Sequence, residues 1–458
     1  MTEENPRHKA LISNFTEGSI PGQLLRFAFP SAYSYALQVL YSVVDMMIIG
    51  QVMGSAGISA VSTASQIYAV LLTFCIGFSI GGQIYISQLI GKGRLSQLNQ
   101  TIGTFFSVEL LLSLIIMTAG ILSCRSLLLV LNTPAEAFDF AMDYLVICCC
   151  GLLFTYGYNV VAAVLRGLGD SRHPFLFILL ASIINLVLDI VFIVIFGWKT
   201  TGAALATILG QAVSLVCSVV FLYRRRTQFH FDFKLRSFIP DKGILKALLS
   251  LGTPFAVEYT AINISMVFVN ALVNQAGVVA SAVFGTGIRI EDIGNKINTA
   301  ITGSCAVMIG QNFAAKSIRR IHRIIRCGWL YAGVFYLLFG SLCLLFPETL
   351  FSVFTNDADV IAGAPVFMAA LLWEFPAMVV MRGTNGLIQG VGNAKLSLAI
   401  ALFDGFVVRI GLSYLLGTVC AMGIYGYFLG YALAANATAL PGFVYYVSGL
   451  WKRRKSLT

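Results

Sequence analysis

Charged residues are scarce in this sequence. Asp, Glu, Lys and Arg together make up 11% of its 458 residues, whereas hydrophobic residues make up 58%. Soluble domains carry about 25% charged residues, so this composition excludes an ordinary soluble protein. Apolar runs long enough to cross a bilayer recur from end to end, whereas a membrane β-barrel would show short alternating segments. We therefore predict an all-α polytopic membrane protein.

Histidine and recognisable cysteine motifs are also missing from the predicted spans. The four histidines fall in predicted cytoplasmic segments, which disfavours a histidine proton relay inside the membrane. The ten cysteines lie almost wholly in apolar runs without zinc-type spacing, so we interpret them as small packing residues. No cleavable signal pattern precedes the first apolar run.

The apolar runs predict twelve spans in two lobes. A basic cytoplasmic linker, 224–245, separates an N-terminal lobe, 1–223, from a C-terminal lobe, 246–458. The predicted spans are 26–50, 58–84, 100–123, 139–165, 174–197, 202–223, 246–274, 278–309, 327–347, 361–388, 396–417 and 422–449.

The distribution of basic residues predicts the orientation. If the N-terminus is inside, 24 of the 30 Lys and Arg residues lie in inner segments and 2 lie in outer segments. This asymmetry places both termini in the cytoplasm, and it explains the net charge of +10 without a nucleic-acid partner.

The two lobes repeat each other in sequence. Pro30 matches Pro254 at an offset of 224, and 166–170 matches 389–393 at an offset of 223. Six spans separate equivalent positions, so both lobes should insert the same way up. We expect a pseudo-two-fold axis along the membrane normal, as in transporters built from parallel repeats.

Two aspartates interrupt apolar spans of the first lobe. Asn185 and Asp189 are four residues apart and share one face of a helix, while Asp45 lies in the first span. An aspartate at mid-membrane costs about 2.5–3.5 kcal/mol, which favours a functional role. The positions equivalent to Asp45 and Asp189 in the second lobe are apolar, near Val269 and Leu412, so we predict that this acidic site is confined to the first lobe.

Other polar residues follow helical spacing in the same lobe. Gln38 and Tyr41 lie on the face of Asp45, Thr207 and Gln211 lie on one face of the sixth span, and Asn159 lies in the fourth. These residues predict a polar cavity inside the lobe. The alternative is that the weaker polar groups only bond across packed helices.

The order and spacing of these features resemble the multidrug and toxic compound extrusion (MATE) family of cation antiporters. The resemblance rests on the proline fifteen residues before Asp45, the Asn-x-x-x-Asp of Asn185 and Asp189, Gly-Ala-Ala-x-Ala-Thr ending at Thr207, and Ile-Gly-Gln-Asn-Phe at 309–313. It implies that Asp45, Asn185, Asp189 and Thr207 bind the coupling ion, with Tyr41, Gln38 and Asn159 nearby.

Several charged residues also lie in the predicted spans of the second lobe. Another branch of the family has an acidic site on the seventh and tenth spans, where this chain has Glu258 close to Pro254 and Glu374 among apolar residues; the first-lobe site is therefore favoured. Glu258 and Glu374 either line a cavity or form structural pairs. Arg289, Asp292 and Lys296 either neutralise one another or take part in gating or substrate contact. Asp404 and Arg409 are five residues apart, so we expect their partners on other helices.

These observations predict a non-enzymatic secondary transporter. It would export amphipathic, mostly cationic compounds in exchange for H⁺ or Na⁺, with Pro30 as a hinge, Gln38, Asn159, Gln211, Glu258 and Glu374 along the substrate cavity, and Na⁺ at Asp45, Asn185 and Asp189 as the only metal. We expect a monomer in the lipid of a bacterial plasma membrane, without a cofactor. The alternatives are a lipid-linked oligosaccharide flippase, whose anionic cargo requires cavity arginines, and a membrane protease built on two aspartates.

Overall fold

The structure is a computed structural model that describes residues 12–458; the predicted cytoplasmic segment around His8 lies outside this range. The described residues are helical almost throughout and contain no β-strand. They form two compact units. One contains Tyr33–Thr253 and Leu457–Thr458, and the other contains Gly18–Ala32 and Pro254–Ser456. The predicted bounds of the linker, 224–245, stay a prediction.

A single long helix contains the first two spans. Helix α1, Ile20–Gly91, has 72 residues and includes Pro30. A straight helix of that length would be roughly 110 Å long, more than three times the hydrocarbon thickness of about 30 Å. Gly54 interrupts it with a φ of 63° and a ψ of −150°, a conformation that glycine tolerates because it has no Cβ. The break falls between the predicted spans 26–50 and 58–84.

Five more helices belong to the first unit. Helices α3 and α4 are bent by 45° relative to each other, and a π-helical segment, Ile190–Ile195, follows α5. The helices are α2 (Leu98–Val130), α3 (Ala135–Cys150), α4 (Leu152–Gly167), α5 (Arg172–Asp189) and α6 (Lys199–Arg224).

The larger segment of the second unit begins within a helix, because α7 contains the unit boundary just before Pro254. Two π-helical segments, Phe403–Arg409 and Leu415–Val419, flank the short helix α15. The helices are α7 (Lys242–Asn274), α8 (Val278–Ala314), α9 (Ile318–Leu345), α10 (Pro347–Ser352), α11 (Ala358–Ala362), α12 (Ala364–Leu371), α13 (Phe375–Gly390), α14 (Ala394–Leu402), α15 (Ile410–Tyr414) and α16 (Gly423–Ser448).

The described helices account for twelve spans. Seven helices are long and apolar enough to cross a membrane, and two bent pairs, α3 with α4 and Ala358–Leu371 with α13, raise this number to nine. The broken helix α1 supplies a second crossing. Helix α8, with its charged cluster, and helix α16, rich in glycine and tyrosine, supply the other two. The prediction of an all-α polytopic protein is confirmed.

Small residues bring helices together inside each unit. A Cβ added to Gly210 on α6 would lie 3.0 Å from the carbonyl oxygen of Ala181 on α5, and 3.4 Å from the Cβ of Asn185. In the second unit, a Cβ on Gly430 of α16 would lie 2.5 Å from the Cα of Ser413 on α15. Close approach at small residues is the usual packing mode of membrane helices, because lipid provides no hydrophobic driving force between them. The close approach of α5 and α6 at Gly210 places Asn185 against α6.

The connection between the lobes docks on one face of α2. The Gln100 amide donates to the Ile239 carbonyl at 2.7 Å, and the Ser107 hydroxyl donates to the Phe238 carbonyl at 2.5 Å. Within the connection, the Lys234 N–H and the Ser237 hydroxyl donate to the Asp232 carboxylate and hold the pKa of Asp232 below its usual range. The linker is therefore folded and packs against the first unit.

Gly103 allows this docking, and we expect Gly103→Ala to undo it. A Cβ at this position would lie 1.8 Å from the Ser237 carbonyl oxygen. Overpacking costs about 1–3 kcal/mol, which exceeds the roughly 1 kcal/mol that alanine gains over glycine in a helix. Trypsin should cut the variant faster at 224–236. Gly303→Ala is the control, because no atom lies within 4 Å of that Cβ; equal cleavage of both variants would contradict this role of Gly103.

Candidate functional site

The buried end of α5 carries the polar face that the sequence predicts. Ser182, Asn185 and Asp189 are 7%, 4% and 0% exposed. The Ser182 hydroxyl donates to the Ile178 carbonyl of its own helix at 2.9 Å, so it is already satisfied. Asn185 and Asp189 remain as the polar groups that this face presents to the rest of the unit.

Asp45 of α1 meets Asp189 inside the first unit. Their carboxyl groups lie within hydrogen-bonding reach of each other. A proton on one of the two groups would let that group donate to the other, because an ionised carboxylate can only accept hydrogen bonds. The structure therefore forms a carboxyl pair from residues 144 positions apart in the sequence.

Apart from that contact, the polar atoms around the pair lack partners. Among residues 12–458, no group completes Asp45 Oδ1, either carboxylate oxygen of Asp189 or either amide atom of Asn185. Buried polar atoms in native proteins are nearly always hydrogen-bonded, so such a cluster needs an explanation. Binding of a proton or a small cation would explain the cluster, since carboxylate and amide oxygens are the ligands that hard cations prefer.

A small cavity of about 10 Å³ lies beside Asn185. A cavity needs about 10–15 Å³ to hold one water molecule, so this space suits a single water-sized species. The Thr207 hydroxyl donates to the Ala203 carbonyl at 3.0 Å, while Gln211 Oε1 has no partner in the described chain. The cavity is lined by Tyr41, Ile178, Ala181, Ser182, Asn185, Thr207, Gly210 and Gln211.

The second unit contains a much larger polar cavity of about 450 Å³. Glu258 and Glu374 both line this cavity. The sequence alone allowed either a cavity role or structural pairing for these two carboxylates. Glu374 lies where α12 gives way to α13, within the pair of helices bent by 53°. The other ionisable residues that line it are Glu291, Asp292, Asp404, Arg382, Arg409 and Tyr431.

A second carboxyl pair lies in this cavity. Glu291 of α8 is 4% exposed and Glu374 is 3% exposed, and their carboxyl groups are within hydrogen-bonding reach of each other. The Asn295 amide and the Tyr431 hydroxyl donate to Glu291 Oε1 at 2.8 and 3.0 Å. The second oxygens of Glu291 and Glu374 have no partner in the part of the chain that the structure describes.

The two lobes also match one family model separately. The MatE model matches residues 30–191 and 254–415. This chain belongs to the MatE family. Both matches begin at the prolines that define the sequence repeat, Pro30 and Pro254, so the prediction of two like halves of a MATE transporter is confirmed.

Relatives and solved structures cover nearly the whole MatE-family chain. The probable multidrug resistance protein YpnP of Bacillus subtilis is 27% identical over 445 residues, 97% of this chain and 99% of that protein. The probable multidrug resistance protein NorM of Thermotoga maritima is 24% identical over 449 residues, 95% and 94% of the two chains. An outward-facing multidrug resistance MATE family transporter matches with a TM-score of 0.92 at 22% identity, over 98% of this chain and 100% of that chain.

A second solved structure has nearly the same fold. A MOP superfamily transporter from Pyrococcus furiosus, described as having a binding pocket of reverse polarity, matches with a TM-score of 0.91 at 22% identity over 98% of this chain and 100% of that chain. The MATE transporter fold of this chain is thus shown by structure as well as by sequence.

Gln38, Asn159 and Pro30 do not line the small cavity of this MatE-family chain. The lining residues do not include Asp45, Asp189, Glu258 or Glu374 either. The Asn159 amide donates to the Thr155 carbonyl of its own helix at 2.8 Å, and neither Asn159 nor the half-buried Gln38 lines the cavity. Pro30 lies inside α1, just before the unit boundary between Ala32 and Tyr33. The roles predicted for these three residues stay predictions.

Two buried carboxylates escaped the sequence analysis. Glu109 of α2 is 1% exposed, lies beside the Ser79 hydroxyl and is the single acid within the apolar run of that span. Glu291 directly precedes Asp292, but it points into the unit while Asp292 is exposed. A search for every acid within a predicted span would have found both, whereas a search for repeated spacing could not.

One prediction about paired charges is wrong and another is right in part. Asp404 and Arg409 pair with each other at 2.8 Å rather than with other helices. They span the π-helical segment Phe403–Arg409, whose wider turn brings residues five apart onto one face. Asp292 and Lys296 pair at 2.7 Å, whereas Arg289 is exposed and forms no ion pair among the described residues.

Proposed function

We propose that this chain is a secondary active multidrug efflux transporter that exchanges amphipathic, mostly cationic organic compounds for H⁺ or Na⁺ by alternating access. The observation that carries the proposal is the Asp45–Asp189 pair, in which Asp189 is buried and Asp45 half-buried, with the unpartnered amide of Asn185 beside it. Relatives over almost the full length are called multidrug resistance proteins, which supports the export of drug-like molecules.

The chemistry of the pair suits an exchange of cations. With one shared proton the pair keeps one negative charge, which a second proton or a sodium ion would neutralise. Asn185, Tyr41 and Thr207 would complete the ligands of that ion with amide and hydroxyl oxygens. Gln211, which lines the small cavity, and Gln38 and Asn159 are assigned to the route of the drug in the same lobe. Glu258 and Glu374 would serve the drug in the second-lobe cavity.

Helix α1 is the element that would move. Asp45 and Pro30 lie on this one helix, and proline removes a backbone hydrogen bond, so a bend near Pro30 would respond to the charge state of Asp45. Export is coupled only if ion and drug oppose each other's binding, since each must change the affinity of the other by the same factor. The basic inner segments support an orientation with both termini in the cytoplasm, and we propose a monomer in a bacterial plasma membrane.

Flux in proteoliposomes tests the proposal. Purified protein is reconstituted into vesicles loaded with ethidium, and a pH gradient and a Na⁺ gradient are imposed in separate experiments. We expect one gradient to drive ethidium against its concentration gradient and an ionophore that dissipates that gradient to stop the flux. Absence of flux under both gradients, with the protein monodisperse and folded, would contradict antiport and favour another cargo.

A further inference from the structure

Three exposed arginines share one face at the start of α9. Arg319, Arg323 and Arg326, here called the arginine row, are spaced four and three residues apart along the helix. None of the three forms an ion pair among residues 12–458. The sequence has no Asp or Glu from 293 to 347, so α9 itself carries no acid that could neutralise them. Helix α9 therefore begins with a row of positive charge on its surface.

The same face of α9 becomes apolar beyond the arginine row. The spacing continues through Leu330, Val334 and Leu337, which are 62%, 52% and 70% exposed and are here called the apolar face. Leu330 lies four residues, about 6 Å along the axis, beyond Arg326. Exposed leucine and valine on a spanning helix face the lipid chains, whereas arginines near its end reach the depth of the headgroups. The change from basic to apolar therefore follows the profile of one phospholipid molecule.

The residues that follow α16 add a further positive charge beside the arginine row. Lys452 is exposed, and its Nζ lies 5.5 Å from the centre of the buried Trp451 ring. The His322 ring of α9 lies 5.6 Å from the Trp451 ring, centre to centre, and its Nδ1 is hydrogen-bonded to the Tyr446 hydroxyl at 2.9 Å. The charges of Lys452 and Arg326 both act on His322. Contacts between α9 and the end of the chain thus bring Lys452 to the arginine row.

Aromatic rings pack between α9 and α16 where the face changes character. The Trp329 ring lies 5.4 Å from the Tyr446 ring and 6.0 Å from the Phe443 ring, centre to centre. Its indole N–H donates to the Val380 carbonyl of α13 at 2.9 Å, which fixes the ring in place. Tryptophan and tyrosine are enriched where a membrane protein passes from the lipid chains to the headgroups. This cluster therefore favours a boundary between the two regions close to Arg326.

We propose that the arginine row and Lys452 bind the phosphate of an anionic phospholipid, whose chains lie along the apolar face. Arginine binds phosphate through two parallel N–H donors, and each basic residue near the membrane surface adds to the attraction of an anionic lipid. The apolar face directly beyond the arginine row favours a lipid over free phosphate, which has no apolar part. This inference does not depend on which ion or drug the chain carries.

Competition between lipids tests the proposal. Full-length protein in detergent binds a fluorescent phosphatidylglycerol, and displacement of this probe by unlabelled compounds is followed through fluorescence polarisation. We expect phosphatidylglycerol to displace the probe, and phosphatidylcholine, whose headgroup has no net charge, to require a concentration at least about 10-fold higher. Inorganic phosphate should not displace the probe, because it has no chains. Equal displacement by both lipids, or displacement by inorganic phosphate at the concentration of phosphatidylglycerol, which would indicate an adventitious ion only, would overturn the lipid site.

Neutralising the arginine row should weaken this binding. For the triple variant Arg319→Gln, Arg323→Gln and Arg326→Gln we expect the affinity for phosphatidylglycerol to fall by about 100-fold, because three basic contacts are lost. Replacing the same three residues by lysine keeps the charge and loses only the paired donors, so it should cost less than about 10-fold. The lysine variant thus separates the loss of charge from any damage to the fold. Unchanged affinity in the glutamine variant would overturn the proposal.

The matched control is a second triple of exposed arginines, Arg224, Arg225 and Arg226. These three residues are consecutive, so they do not share one face as the arginine row does. Their replacement by glutamine removes the same charge and should change the affinity for phosphatidylglycerol by less than about threefold. Equal weakening by the two glutamine triples would assign the affinity to the net charge of the protein and overturn a site on α9.

Discussion

Asp189→Asn and Asp45→Asn should each reduce gradient-driven drug flux to the level of protein-free vesicles. Asparagine has nearly the same shape as aspartate, so the buried contact can persist. It cannot take up or release a proton, however, and it removes the charge that would hold Na⁺. The coupling ion would then no longer change the charge of the pair, and its gradient could not drive export.

The fold should survive these substitutions. Neither Asp189 oxygen has a partner other than the Asp45 carboxyl among residues 12–458, so replacing a carboxylate by a neutral amide removes an incompletely satisfied buried group. We expect unchanged elution and an equal or higher melting temperature in detergent, together with retained binding of ethidium. Asp139→Asn makes the same chemical change at an exposed acid and should leave flux normal. Normal flux in both pair variants would remove the basis of the proposed coupling site.

The twelve spans could be predicted because the bilayer imposes the same requirements on each spanning segment separately. Every spanning segment needs enough apolar residues and an internally bonded backbone, so its signal is local. Even the break in α1 at Gly54 falls in the gap between two predicted spans. The bends in the fourth and tenth spans had no such signal, because neither shortens the apolar run.

Residue spacing predicts only the part of the first site that lies on α5. Asn185 and Asp189 share one α-helix, and their spacing of four predicts one common face. The contact of Asp189 with Asp45 joins two distant helices, so no local pattern predicts it; only the resemblance to a family implied it. Gly210 shows the tertiary cause, since its missing side chain lets α6 approach α5 at Asn185.

The second-lobe cavity shows where sequence reasoning failed. In an α-helix, a spacing of five residues would place Asp404 and Arg409 on different faces. The two residues lie in a π-helical segment, where this spacing places them on one face. Glu291 is less conspicuous in the sequence, because Asp292 and Lys296 beside it form an evident i, i+4 pair. Burial and local helix type, which depend on packing between helices, decide both cases.

The buried Asp404–Arg409 ion pair should make a large contribution to the free energy of unfolding of the second lobe. Asp404 and Arg409 side chains are 4% and 12% exposed. Arg409→Met would leave the Asp404 carboxylate buried without its cation, and breaking such a pair costs about 3–5 kcal/mol. Arg409 also lies 5.2 Å from the centre of the Tyr431 ring, a cation–π contact that the variant loses. We expect the largest drop in melting temperature among single variants of this cavity.

A double variant separates the pair from its surroundings. Asp404→Leu combined with Arg409→Met removes both charges, so it should recover most of the stability that Arg409→Met loses, except the share due to Tyr431. Lys296→Met breaks a pair whose side chains are about half exposed, 46% and 53%, and should cost only about 0–1 kcal/mol. Buried thiols in this lobe, Cys305 and Cys343, report unfolding through a thiol-reactive dye. If Arg409→Met and Lys296→Met melt at the same temperature, the Asp404–Arg409 pair does not stabilise the lobe through its buried charge.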